Sequence, residues 1–184
     1  MKKYLKIMIY LAIFIAVIIL ATVGYKYLTS KYLPKEIKVE NEQKNLNNAK
    51  DFQVLNIEGE KVSLSNYFGR PIVVNFWATW CNPCKQELPE FQEAYKKYNK
   101  DVEFLMVNLT DGYNDTVKNV KEFVNKNNYS FPLYFDTQNS AGNAYNVYSI
   151  PQTLFINKDG KVLKSYKGMI SKQNLERYIK KLTE

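Results

Sequence analysis

The sequence predicts one α/β domain, a mixed central sheet with helices on both faces, hung on an N-terminal apolar helix. Three observations carry this reading. Strand and helix signals alternate from Pro71 to Asn127, a Lys158-Asp159-Gly160 turn separates two later strand signals, and residues 7 to 24 hold no charge. Alternating strands and helices imply parallel strands joined by right-handed crossovers, and an Asp-Gly pair between strands marks a hairpin.

Taken in order, Lys2, Lys3 and Lys6 make a basic tip ahead of the uncharged run, which only Tyr10 and Thr22 interrupt. Such a run spans a hydrocarbon core of about 30 Å at a rise of about 1.5 Å per residue. It exceeds a signal-peptide core and no small-x-small cleavage site follows it cleanly, so residues 1–25 read as an uncleaved transmembrane anchor rather than a cleaved leader. Lys26, Lys31, Lys35 and Lys38 follow the span, so the orientation rests on the basic tip and on the chemistry below. Residues 26–50 are polar and contain Pro34, the pattern of a tether.

Residues 51–184 read as the folded domain. Phe52–Leu55 and Lys61–Leu64 flank Glu58-Gly59 as a hairpin-like pair, and Pro71–Ala78 is a near-continuous apolar run typical of a strand buried on both faces. A helix is expected from about Asn82 to Tyr98 with Leu88, Phe91, Ala94 and Tyr95 on one face. Val102–Leu109 is the next strand and Thr116–Asn127 the next helix, striped by Val117, Val120, Phe123 and Val124. A short strand at Leu133–Asp136 and a short helix at Ser140–Tyr145 follow. Strands at Gln152–Asn157 and Lys161–Lys167 precede a last helix capped by Ser171, with Leu175, Tyr178, Ile179 and Leu182 inward.

Composition removes several function classes. The net charge of +8 divides into +6 on residues 1–50 and +2 on the rest, so the domain carries no basic footprint for nucleic acid. There is no histidine, which excludes Ser-His and Cys-His catalysis, removes the commonest metal ligand and argues against zinc hydrolysis. Chemistry falls to thiols, carboxylates, Lys or Tyr.

The two cysteines, Cys81 and Cys84, sit where the buried strand ends and a helix begins. Unpaired N–H groups and the positive end of the helix dipole stabilise a thiolate there, so Cys81 is the expected nucleophile and Cys84 the resolving thiol. Two intervening residues bring both sulfurs onto one turn, and Pro83 suits a position whose N–H the helix leaves unpaired. Exchange would run through a mixed disulfide, with the dithiol itself as the redox group and no cofactor. An intermolecular four-cysteine zinc site and an inert staple are the rival readings. The staple closes only four residues and removes little unfolded-chain entropy.

The segment Val73–Pro89, VVNFWATWCNPCKQELP, resembles the active-site stretch of the TlpA/ResA-like extracytoplasmic thiol-disulfide oxidoreductases, and the resemblance extends over nearly all of residues 51–184. It implies a thioredoxin fold. It also implies a cis peptide before Pro151, with the backbone of Ile150 pairing to an incoming chain, and a substrate surface shaped by Trp80, with Trp77 in the core. Glu87 matches an acidic residue that tunes the thiols. From spacing alone it is an i+3 neighbour of Cys84, and a solvated first-turn carboxylate favoured by the dipole is the competing reading. Asn75 stands where cytoplasmic thioredoxins carry a buried Asp, which makes Glu87 the better candidate base. Gly168 matches a glycine near the substrate groove, or is simply a turn.

The function implied is reduction of disulfides in exported proteins by a membrane-anchored enzyme with its catalytic domain outside the cytoplasm, re-reduced by a membrane electron donor. Apocytochrome c, methionine sulfoxide reductases and sporulation factors are the clients the resemblance offers. A dithiol oxidase is the alternative, disfavoured because no large helical insertion lies between Val107 and Pro151. A membrane-bound chaperone or binding module with dispensable cysteines is another, and a peroxidase lacks its isolated Thr-x-x-Cys.

Overall fold

The computed structural model describes Met8, residues 14–24 and residues 47–184. The chain divides into two compact units, Met1–Asn41 and Glu42–Glu184. In the first, residues 14–24 are helical, with the side chains of Phe14, Ile18 and Leu20 exposed. The Thr22 hydroxyl donates to the Ile19 carbonyl at 2.9 Å, so this polar interruption is satisfied within the helix. No helix among the described residues is long and apolar enough to cross a membrane. The remainder of the expected span, and residues 26–46 of the expected tether, lie outside the described residues.

The second unit is built on a seven-stranded sheet. Its strands are β1 (Gln53–Leu55), β2 (Lys61–Ser63), β3 (Ile72–Trp77), β4 (Glu103–Asn108), β5 (Leu133–Phe135), β6 (Gln152–Ile156) and β7 (Val162–Lys167), in the order β2-β1-β5-β4-β3-β6-β7. β3, β4 and β5 run parallel, and β1–β2, β1–β5, β3–β6 and β6–β7 pair antiparallel. The mixed sheet follows from the connections. Helices α1 (Asn82–Tyr98) and α2 (Val117–Lys126) cross between parallel neighbours, whereas the tight Asn157–Gly160 turn reverses β6 into β7. Residues 47–49, at the end of the expected tether, already join the sheet: Asn48 bridges Lys161 and the Ala49 N–H donates to Gly160 O at 2.7 Å.

β3 is buried at all six positions, because both faces of the sheet are covered. Val73, Trp77, Phe104, Met106, Phe135 and Phe155 meet α1, α2 and α4 (Lys172–Thr183) on one face. Ile72, Val74, Phe76, Leu105, Val107 and Leu154 meet Phe52, Leu64 and α3 (Ser140–Ala144) on the other. α1 presents Leu88, Phe91 and Ala94 inward, and α4 presents Leu175, Ile179 and Leu182. α1 continues through Pro89, which forgoes one backbone bond to the preceding turn. The Ser171 hydroxyl caps α4 by accepting from Asn174 N.

Phe91 is fully buried, so Phe91→Ala removes an aromatic side chain from the α1–sheet contact. Urea unfolding should show a loss of about 3 to 5 kcal/mol. Tyr148→Ala, at a residue 90% exposed, should stay within about 0.5 kcal/mol of the parent.

Candidate active site

Four residues separate the end of β3 from the start of α1 because Ala78–Cys81 closes a turn, the Cys81 N–H donating to Ala78 O at 3.3 Å. Cys81 is the N-cap of α1, with extended backbone, and its sulfur accepts the Cys84 N–H at 3.2 Å. A sulfur thus occupies the place of the Ser or Asp oxygen that commonly ends a helix. Pro83, in the first turn, costs no hydrogen bond. Cys81 and Cys84 are joined as a disulfide with Cα atoms 5.3 Å apart. Cys84 is completely buried and Cys81 keeps a small exposed edge, so an approaching chain meets Cys81 first.

Glu87 lies under α1. It is 1% exposed, which rules out the solvated reading, and it stands in the second turn of the helix rather than the first. Its Oε1 accepts from Asn75 Nδ2 at 2.8 Å and its Oε2 accepts from the Ile170 N–H at 2.8 Å. Asn75 Nδ2 also donates to Thr153 Oγ1 at 3.1 Å, a contact fixed by register because Asn75 and Thr153 are cross-strand partners. Burial raises the Glu87 pKa to about 7, against the lowering effect of the Ile170 and Asn75 hydrogen bonds. A carboxyl that changes charge near neutrality, three residues from Cys84 on one helix face, is suited to hold or release the resolving thiol's proton.

The rim is apolar. Trp80 is 53% exposed, while Trp77 is fully buried as the sequence implies. The Ile150–Pro151 peptide is cis, and half-buried Ile150 packs on the cluster that contains both cysteines. Gly168, at φ +88°, donates its N–H to Pro151 O at 2.8 Å. It therefore ties the end of β7 to the proline loop, two residues before Ile170 reaches Glu87. Met169 between them is exposed. A cleft of about 550 Å³ opens beside Trp80 at the carboxyl ends of β3, β4 and β5, lined also by Leu109, Thr110 and Asp136.

Sequence reading missed Thr153, the Ile170 amide and Asp115. Asp115 is fully buried and takes the Thr79 N–H at 2.8 Å and Asn108 Nδ2 at 2.7 Å on Oδ2, with the Thr79 hydroxyl on Oδ1. It lies in LTDGYNDT, a polar stretch that reads only as a loop. No group of three or more potential metal ligands occurs among the described residues.

The AhpC/TSA family model matches residues 46–165. Thiol-disulfide oxidoreductase ResA of Bacillus thuringiensis subsp. konkukian is 36% identical over 172 residues, covering 93% of this chain and 94% of that protein. The crystal structure of StoA from Bacillus subtilis matches with a TM-score of 0.62 at 30% identity, over 71% of this chain and 97% of StoA. The exposed lipoprotein thioredoxin Etrx1 of Streptococcus pneumoniae gives 0.63 at 28% identity, over 72% and 99%.

The raised Glu87 pKa has a sign in stability. The folded chain binds more protons than the unfolded chain between pH 4.5 and about 7, so stability falls as pH rises through that window, by on the order of 3 kcal/mol for this group. In Glu87→Gln that part of the decline should vanish. Urea midpoints at pH 5 and pH 8 check it, and an unchanged difference between wild type and variant would count against the assignment.

Proposed function

The chain belongs to the AhpC/TSA family and, within it, to the ResA-like thiol-disulfide oxidoreductases, and on that basis we propose that it reduces disulfides of exported proteins from an anchor in the cell membrane. The observation that carries the proposal is the capping sulfur. Cys81 sits on the first turn of α1 with the Cys84 amide directed at it, the arrangement that favours a thiolate.

In the reaction, the Cys81 thiolate attacks one sulfur of a client disulfide. The other client sulfur leaves as a thiolate and takes up a proton, and a Cys81–client mixed disulfide remains. Cys84 passes its proton to the Glu87 carboxylate and attacks Cys81. The second client sulfur departs, the Cys81–Cys84 disulfide closes, and two electrons have moved to the client. Trp80 and the Ile150–Pro151 backbone receive the client chain. A membrane dithiol protein returns two electrons to the pair, so no cofactor enters the cycle. Clients are exported proteins with cysteine pairs, of which apocytochrome c and methionine sulfoxide reductases are candidates.

Anchoring by residues 1–25 with the domain on the outer side is supported by the uncharged run behind a basic tip and by the exposed apolar helix at residues 14–24. Alkaline carbonate should leave the full chain in the membrane pellet and release a chain starting at residue 26.

Cys84→Ser should accumulate clients as disulfides on Cys81, visible as bands on non-reducing gels that collapse on reduction, while Cys81→Ser traps none. The reverse pattern would assign attack to Cys84.

A further inference from the structure

The carboxylate of Asp115 has no part in the exchange just described, yet one of its two partners lies in the turn that leads to the thiols. Thr79 gives it both the backbone N–H and the hydroxyl, and Thr79 is the second residue of the Ala78–Cys81 turn that delivers Cys81 to the start of α1. Asn108, from the end of the neighbouring strand β4, gives it Nδ2 and in turn accepts the Thr110 hydroxyl at 2.8 Å. Asp115 is itself held from behind, its N–H donating to Asp111 Oδ1 at 3.0 Å and its carbonyl accepting Gly112 N at 2.9 Å. Both oxygens face donors, the pattern that suits an ionised carboxylate, and it is fully buried.

We propose that Asp115 is a positioning residue for the thiol turn whose buried negative charge opposes the helix start, keeping Cys81 less acidic and the dithiol more strongly reducing than α1 alone would make it. The proposal rests on the oxidoreductase reading of the same site. Its physics is direct. The carboxylate is bonded to the amide and hydroxyl of Thr79, two residues before Cys81 in a turn closed by a hydrogen bond, and its full burial places its charge in protein interior that salt screens poorly. A like charge so placed disfavours a thiolate, and destabilising the reduced form's anion lowers the reduction potential.

The other charges near the thiols are differently placed. Glu87 lies beneath α1 on the Cys84 side, and Lys85 is exposed on the first turn. Asp111 is spent on its own turn, where the Asn114 side chain and the amides of Asp115, Tyr113 and Asn114 hold its carboxyl down at about 2. Asp115 alone among these carboxylates is bonded to the Ala78–Cys81 turn.

The test uses the purified full-length chain with two readouts that need no client: the pH dependence of iodoacetamide alkylation of the reduced protein, and the dithiol-disulfide equilibrium in glutathione buffers. Asp115→Asn removes the charge while its amide can still meet Thr79, whose hydroxyl turns to accept. The alkylation midpoint should fall by roughly half a unit to one unit, and the potential should move positive. Thr79→Val keeps the charge and strips the hydroxyl that quenches it, so both readouts should move the opposite way. Opposite signs are what a merely structural role would not produce. Unchanged readouts in Asp115→Asn, or shifts of the same sign in both variants, would overturn the assignment. If Asp115→Asn does not fold, Thr79→Val decides alone, an upward midpoint supporting the proposal and an unchanged or lowered one defeating it. A wild-type chain that fails to cycle between dithiol and disulfide would instead remove the oxidoreductase reading, a result separable from any variant effect.

Discussion

A hydrogen bond from the Cys84 amide to the Cys81 sulfur fixes where the chemistry happens, and the bond exists because of what precedes it in the chain. β3 is buried along its whole length, so its end is immobile, and a single closed turn converts that end into the first turn of α1. Helix starts leave amides unpaired, and here a sulfur rather than an oxygen satisfies one. The apolar layers on either side of the sheet therefore act on the thiols indirectly. They hold two elements at a fixed junction, and the junction presents the field.

Beneath that junction the core departs from an apolar plan. Asn75 lies midway along β3, between Val73 and Trp77 on the same face; it and the Ile170 amide donate to Glu87, while Thr153 accepts from the same Asn75 amide. A carboxyl buried to this degree would be costly alone, and its hydrogen bonds offset only part of that cost, which is why its pKa settles near neutrality rather than at the usual carboxylate value. The same network links α1 to the segment after β7. There the Gly168 amide holds Pro151 two residues before Ile170 holds Glu87, so the carboxyl and the proline loop are tied to one short segment. Coupling of this kind is a property of packed, discretely bonded elements.

How much of this is legible in the sequence depends on the range over which each feature is decided. α1 is local: a cysteine cap, Pro83 in the first turn and an inward stripe of Leu88, Phe91 and Ala94 place it from Asn82 to Tyr98 without reference to the rest of the chain. β3 declares itself by a near-continuous apolar run broken only at Asn75, and β6–β7 by an Asp-Gly turn. The pairing of Glu87 with Ile170 joins residues 83 apart, and a backbone amide carries no residue signature, so no pattern announces it. Asp115 fails for the opposite reason. Its neighbours Asp111, Asn114 and Thr116 are equally polar, and only the fold selects which of them turns inward. The cis state at Pro151 came from likeness to a family, since proline at a strand start is compatible with either isomer.

In the proposed exchange the surroundings of the two sulfurs suit them to different roles. Cys81, at the helix cap, feels the converging N–H groups of the first turn, and its exposed edge admits a partner. Cys84, one turn deeper, has no solvent contact and has behind it a carboxyl whose burial makes it a proton acceptor near pH 7 rather than a fixed anion. In the proposed exchange Cys84 acts only once a mixed disulfide has formed, and the carboxyl behind it is the group that takes its proton. An outer sulfur that a partner reaches first and an inner one beside a carboxyl able to take its proton suffice to order the two steps of the proposed exchange. If both sulfurs shared one environment, nothing but access would separate attack from release, and the buried Glu87 would carry a desolvation cost with no chemical return.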